Sequence, residues 1–255
     1  FVEVSGKQHT EIYGLVDTSA PNGKVGTFLI DPANVDITTV DAFGSFVGVA
    51  PYTWTPTAGA STSTIDYLTL QTDLGLGNVV VTTNFVAGGD PGNITVNHLI
   101  TAPLGGFNLT LEAANDIILN AGINMSAGAG SLTLNADWGG EAGIPSNGVG
   151  KIDNTANRTI TMGTGGLEMI AGNGIGTLAN PVLTSGLTNV AATTATGGIF
   201  ITNGSASAVN ITTVGGTTGL TTTTSGNISV TNANANITLA QHVTTACHGT
   251  ITFNA

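Results

Sequence analysis

The sequence predicts an all-β fold in which short strands stack in parallel as a solenoid, and three observations carry that prediction. The first is a recurring unit of two apolar residues flanking a Thr, Ser or similar residue, usually preceded by Asn or Gly: Ile94-Thr95-Val96, Leu109-Thr110-Leu111, Leu132-Thr133-Leu134, Ile160-Thr161-Met162, Ile199-Phe200-Ile201, Ile228-Ser229-Val230, Ile237-Thr238-Leu239 and Ile251-Thr252-Phe253. The second is spacing, because Ile94 and Ile117, Leu109 and Leu132, and Ile228 and Ile251 each lie 23 positions apart. The third is composition, with 7% charged residues, 41% hydrophobic residues and 37 glycines in 255 residues. Disordered chains combine low hydrophobicity with charge, and this chain has apolar residues to bury along its whole length.

Each unit reads as a strand because alternation at period two sends the flanking apolar residues to one face and the central residue to the other. The preceding Gly and Asn supply turn conformations. A constant return distance of 23 fits one coil of a solenoid; a sandwich would show tight hairpins with Asn-Gly turns between neighbouring strands. No helical periodicity is evident. The whole chain, 1–255, is therefore expected to form one solenoid of a dozen or so coils, a rod on the order of 55 Å long at about 4.8 Å per coil. Residues 160–220 do not fit a fixed period.

Two segments interrupt the pattern. Residues 42–66 carry Phe43, Phe46, Tyr52 and Trp54 with Pro51 and Pro56, and residues 137–150 read DWGGEAGIPSNGVG. Pro cannot donate to an interior ladder and dense Gly suits turns, so both are expected to leave the rod as loops and to hold any localised function. Tyr52, Trp54 and Trp138 are the candidate ligand-binding residues, since aromatic faces are surfaces on which sugars or proteins stack; the competing role is packing of the loops against the rod.

Charge excludes one class of partner. With a net charge of −11 and only Lys7, Lys24, Lys151 and Arg158 as basic residues, no patch can neutralise a series of phosphates, so nucleic acid is not expected to bind. The last acidic residue is Glu168, and residues 169–255 contain no Asp, Glu, Lys or Arg. No run reaches the length of a membrane-spanning helix. The single Cys, Cys247, rules out an internal disulfide framework.

Residues 1–38, FVEVSGKQHTEIYGLVDTSAPNGKVGTFLIDPANVDIT, resemble a segment common in filamentous-haemagglutinin-like exoproteins of two-partner secretion. NVVVTT at 78–83, GGDPGNITV at 88–96, LTLEAANDIILNAGI at 109–123 and SLTLNA at 131–136 follow in the order such exoproteins show, and GNGIGTLANPV at 172–182 and GGIFITN at 197–203 resemble their repeats. The resemblance implies a right-handed parallel β-helix, export through a dedicated outer-membrane pore, an extracellular or cell-surface location, and roles in adhesion, biofilm or contact between cells. The Asn-Pro-Asn-Gly motif of the secretion domain is missing, so the chain reads as an internal shaft segment.

Chemical signatures are sparse. There is no Gly-x-Ser-x-Gly elbow, His-Glu-x-x-His, Walker loop or EF-hand loop. Polysaccharide-cleaving β-helices need paired carboxylates, or a bound calcium with a basic catalyst, and Asp116, Asp137, Glu141 and Asp153 read better as turn or solvating residues. His242, Cys247 and His248 have ligand chemistry without a fourth partner at motif spacing, so the expectation is a buried Cys with exposed histidines and no metal. Calcium at Asp90 or Asp116 lacks a repeated motif, and no cofactor is expected. Asn-x-Ser/Thr at Asn93, Asn108, Asn124, Asn157, Asn203, Asn210, Asn227 and Asn236 is expected from stacking Asn at turns.

The sequence thus points to a non-catalytic shaft of an extracellular adhesin or surface fibre, with a self-assembling matrix filament as the alternative and a polysaccharide-active enzyme third. Expected partners are further coils, continuing beyond both ends covalently or by stacking of copies, and a surface glycan or protein.

Overall fold

The computed structural model describes residues 1–6, 11–12, 15–20, 23–32, 34–39, 44–47, 53–56, 62–83, 91–139, 148–233 and 235–255. The chain is a parallel β-solenoid of about 8 turns, with 49% in strands and, among the described residues, one helix. All pairings along the rod are parallel; the antiparallel pairs among the described strands are two small hairpins, Gly44–Val47 with Thr53–Pro56 and Thr213–Val214 with Thr217–Thr218.

The 23-residue spacing is literal register. Leu109 pairs with Leu132, Ile117 with Ile94, and Ile228 with Ile251. Continuing through successive coils, the first face stacks Val2, Phe28, Val79, Leu109, Leu132, Leu167, Val190, Ile211 and Leu239 in one column. The second face stacks Val35, Ile94, Ile117, Ile152, Ile175, Ile199, Ile228 and Ile251. From Phe28 to Ile211 and from Val35 to Ile228 these side chains are 0–1% exposed. Full burial of each Ile or Leu contributes about 1.5–3 kcal/mol, and the parallel ladder forces like onto like at every level.

The third face changes character along the rod. Ile100, Ile123 and Ile160 stack in its inner column, and the column then continues as Thr184, Asn203 and Asn232. Thr184 Oγ1 donates to Asn203 Oδ1 at 3.2 Å, and Asn203 Nδ2 donates to Asn232 Oδ1 at 2.8 Å. Asn232 Nδ2 in turn reaches the carbonyls of Ser207, Ala235 and Asn236. Burial of these polar groups is offset because each is hydrogen-bonded, to a neighbouring coil or to its own turn.

A second set of ladders runs along the turns. Asn78 Oδ1 accepts from Asn108 N, Asn108 Oδ1 from Ser131 N, and Ser131 Oγ from Gly166 N, so one side chain per coil satisfies the first backbone N–H of the coil above. Asn93 serves Asp116 and Asn227 serves Thr250 in the same manner, while Asn97 Oδ1 accepts the side-chain Nδ2 of Asn120. Stacking roles thus account for Asn93, Asn108, Asn203 and Asn227 among the Asn-x-Ser/Thr sites.

The irregular stretch 160–220 has a structural cause. Strands Gly166–Ile175 and Asn189–Asn203 run through two faces without an intervening turn, bending at glycines where the register shifts between Asn173 and Ile175. Then Val190 pairs with Ile211 while Ala192 pairs with Leu220, so the hairpin Thr213–Thr218 is an excursion between adjacent inward positions. This excursion consumes residues without adding a coil; the expected loops at 42–66 and 137–150 lie largely outside the described residues. The rod has about 8 turns and not a dozen, giving roughly 40 Å at the usual strand spacing.

One element escapes the sequence pattern. Leu68-Thr69-Leu70 has the same form as the strand triplets, yet Tyr67–Leu74 is helix α1. Asp66 caps it, its carboxylate accepting the Thr69 N–H at 3.2 Å, and Leu70 and Leu74, four apart, are buried. α1 lies beneath the start of the third face, where Gln71 Oε1 accepts the N–H of Thr101 at 2.6 Å. The preceding strand, Ser63–Asp66, at the end of the 42–66 segment, belongs to the rod, hydrogen-bonded to both Glu11–Ile12 and Val35–Thr38.

Candidate functional site

Of the three aromatic candidates, Trp138 is the one whose side chain lies among the described residues. Trp54 lies in the Thr53–Pro56 strand of the small hairpin, opposite Phe46, and Tyr52 lies outside the described residues. Trp138 follows the first-face strand Leu132–Ala136, its backbone N–H bonded to Ala113 O at 2.8 Å, and its side chain is half-buried. Its neighbour Asp137 adopts a left-handed φ of 72°, a conformation Asp tolerates better than most residues, and is 7% exposed. Both carboxylate oxygens accept the Gly148 N–H, at 2.8 and 3.0 Å, so Asp137 clasps the two ends of the excursion.

The best-formed recess lies on the outer side of the second face. It has a volume of about 170 Å³, and its polar lining includes Lys151, Asp153, Thr155, Asn173, Thr177 and Asn180. Gly176, which turns the chain out of the second face with a φ of 60°, and Gly197 also border it. Lys151 Nζ donates to Asp153 Oδ2 at 2.9 Å, an exposed pair that contributes at most about 1 kcal/mol. Burial pulls the Asp153 carboxyl up, but hydrogen bonds from Lys151 and Thr155 outweigh it and hold the group below its usual range. Asp116 sits below, accepting the Lys151 N–H, and burial raises its carboxyl. The recess is small, of a size for one ligand group, and its polar side chains are set among more carbon than polar surface.

Two acids that the sequence reading did not single out meet on the outer side of the first face. Glu168 stands outward in register with Thr133 below and Ala191 above, yet it is 5% exposed. The hairpin Thr213–Thr218 folds over it: Glu168 Oε1 accepts the N–H groups of Gly216 and Thr217, both at 2.9 Å, and Oε2 accepts the Thr133 hydroxyl at 3.0 Å. The hairpin approaches so closely that a Cβ at Gly215 would collide with the carboxylate, and Val214 would block one at Gly166. Glu112 lies nearby, half-buried and without such donors, and burial together with the Glu168 charge pushes its carboxyl up to about 7. A carboxylate whose two oxygens are committed to a hairpin and a threonine is an anchor, and Glu168 holds the hairpin down. The sequence signal was present in retrospect, since Glu168 is the last charge before a long neutral stretch that contains a Gly-Gly turn.

One expectation is corrected. Cys247 is exposed, in a turn where it and His248 both take left-handed φ values, 47° and 61°. The cysteine was expected inside on the general preference of free thiols for burial, but the chain turns outward here ahead of the Ile251–Asn254 strand. Among the described residues no group of three or more His, Cys, Asp or Glu is placed to hold a metal.

No protein-family model matches the sequence, and comparison with curated proteins returns no relative.

Proposed function

We propose that this chain is a stretch of the shaft of an extracellular adhesive or structural fibre, of the kind found in filamentous-haemagglutinin-like exoproteins. The observation that supports this reading is the pair of apolar columns running unbroken from coil to coil, with partnered polar ladders at the turns. Such a stack derives its stability from repetition and spends few residues on a centre for chemistry. The carboxylate pair on the first face has its more buried member tied to a hairpin, which favours structural over catalytic use. The absence of charged residues from 169 to 255 favours the matrix variant of the reading, because repulsion between copies side by side is small there.

Immunogold electron microscopy of the producing cells, with antibodies raised against the folded chain, tests the location and form. Label on surface filaments or shed matrix is expected, and label confined to the cell interior overturns the proposal. Beads coated with the chain distinguish the two variants: adhesion to cells supports the adhesin, clumping of like-coated beads supports the matrix, and neither behaviour removes both.

A further inference from the structure

The chain contains four Asn-Gly pairs, Asn22-Gly23, Asn147-Gly148, Asn173-Gly174 and Asn203-Gly204. In such a pair the glycine amide nitrogen, after losing its proton, attacks the asparagine side-chain carbon. A nitrogen–carbon bond forms, the bond to Nδ2 breaks, and ammonia leaves with a proton, giving a cyclic succinimide. Water then opens either carbonyl of the ring, producing aspartate or isoaspartate. The reaction needs a glycine N–H that is free to be removed and a side-chain amide that can approach it.

Every one of the four glycine N–H groups is engaged. Gly23 N donates to Ala20 O at 3.1 Å, Gly204 N to Thr184 O at 2.8 Å, Gly148 N to the Asp137 carboxylate, and Gly174 N to Thr194 Oγ1 at 2.9 Å. The pairs differ in what surrounds them. Asn203 is 0% exposed and locked into the interior ladder, so neither water nor base reaches it. Asn173 is exposed, with its Oδ1 held by the Thr196 hydroxyl at 3.0 Å. Gly174 sits where the register between the two long strands shifts, with a φ of 104°. At that bulge the ladder does not take its N–H, and a side-chain hydroxyl does. Thr194 is 1% exposed and its own proton goes to Thr196 O at 2.8 Å, which aims a lone pair at Gly174.

We propose that Asn173-Gly174 is a latent succinimide site, kept closed in the folded rod by the buried hydroxyl of Thr194. The site lines the Lys151–Asp153 recess, to which Asn173 belongs. Opening it would therefore place a new carboxylate beside that ion pair, and the isoaspartate product would add a backbone methylene at the corner between two faces. The fibre reading does not depend on this, and the outcomes below leave it untouched.

Peptide mapping by mass spectrometry after prolonged incubation of the whole chain at mildly alkaline pH tests the inference, with isoaspartate at 173 as the readout. Folded wild type is expected to deamidate there far more slowly than urea-denatured wild type. Thr194→Val is expected to raise the folded rate about tenfold, the factor for one lost hydrogen bond to a neutral acceptor, and Thr194→Ser to restore protection. Asn203 serves as the internal gauge of folding and stays intact in each folded variant. Equal rates at Asn173 in folded and denatured wild type overturn the proposal, as does a folded Thr194→Val that reacts no faster than wild type. If Thr194→Val unfolds, Asn203 reports it, and the folded-against-denatured and Thr194→Ser comparisons decide.

Discussion

Replacing Glu112 by Gln should stabilise the rod at alkaline pH and leave it unchanged in acid. The folded chain holds this carboxyl at about 7, first through burial and then through the charge of Glu168. In the unfolded chain it returns to a value near 4.3. Because the folded value is the higher one, the folded state retains a proton that the unfolded state releases. The stability associated with Glu112 is complete below the unfolded value, is lost as pH rises between the two, and does not change further once both states are ionised. The difference corresponds to about 3–4 kcal/mol without screening, and the side chain's partial exposure reduces it to about 1–2 kcal/mol. Gln keeps the shape and removes the charge, so urea midpoints of wild type and variant should coincide near pH 4 and separate by that amount above pH 8. Trp138, half-buried beside the same face, provides a fluorescence signal. A variant offset that is the same at every pH, or a variant less stable than wild type in alkali, would refute the argument that an uncompensated charge sits at this position.

Two further outcomes test the interior. Asn203→Ala should cost about 2–4 kcal/mol, because it strands Asn232 Oδ1 and the Thr184 hydroxyl in a dry core, whereas Asn120→Ala, on an exposed ladder, should cost less than about 1 kcal/mol; urea unfolding of the two variants checks the contrast. Ile117→Asp, at a 0% exposed position, should cost several kcal/mol by burying an unpaired charge, while Thr110→Ala, on the outward side of its strand, should change stability little. Comparable midpoints for Ile117→Asp and Thr110→Ala would mean that the inward and outward assignment is mistaken.

What could be read in advance follows from what repeats. A coil of constant length writes its register into the sequence, so the pairing of Leu109 with Leu132 was available from spacing alone. Local exceptions were not. Leu68-Thr69-Leu70 carries a strand pattern and folds as helix, because the cap at Asp66 and the contact of Leu70 with the core outweigh local preference. The polar half of the third-face column was equally hidden, since Thr184, Asn203 and Asn232 look like surface residues until the ladder places them one above another. Trp138 was legible as lying next to an excursion; the burial of Glu168 was not, because it depends on a hairpin more than forty residues downstream folding back over it.

The direction of the inter-coil hydrogen bonds has a mechanical consequence. In a solenoid they point along the rod, so tension applied at the two ends pulls each bond along its own length and loads the coils in series. Every junction then carries the same load, and the outermost coil, held by a neighbour on one side only, detaches first. Each regular coil holds 23 residues, as between Leu109 and Leu132, and a released coil would lengthen the rod by about 70–80 Å at the reach of an extended chain. Glu168 is an exception to this unzipping, because its bonds to Gly216 and Thr217 run across the outer surface and connect strands that are not adjacent. Under load that tie would act as a staple, holding three successive coils together until it gives way, so extension would be expected to pause there.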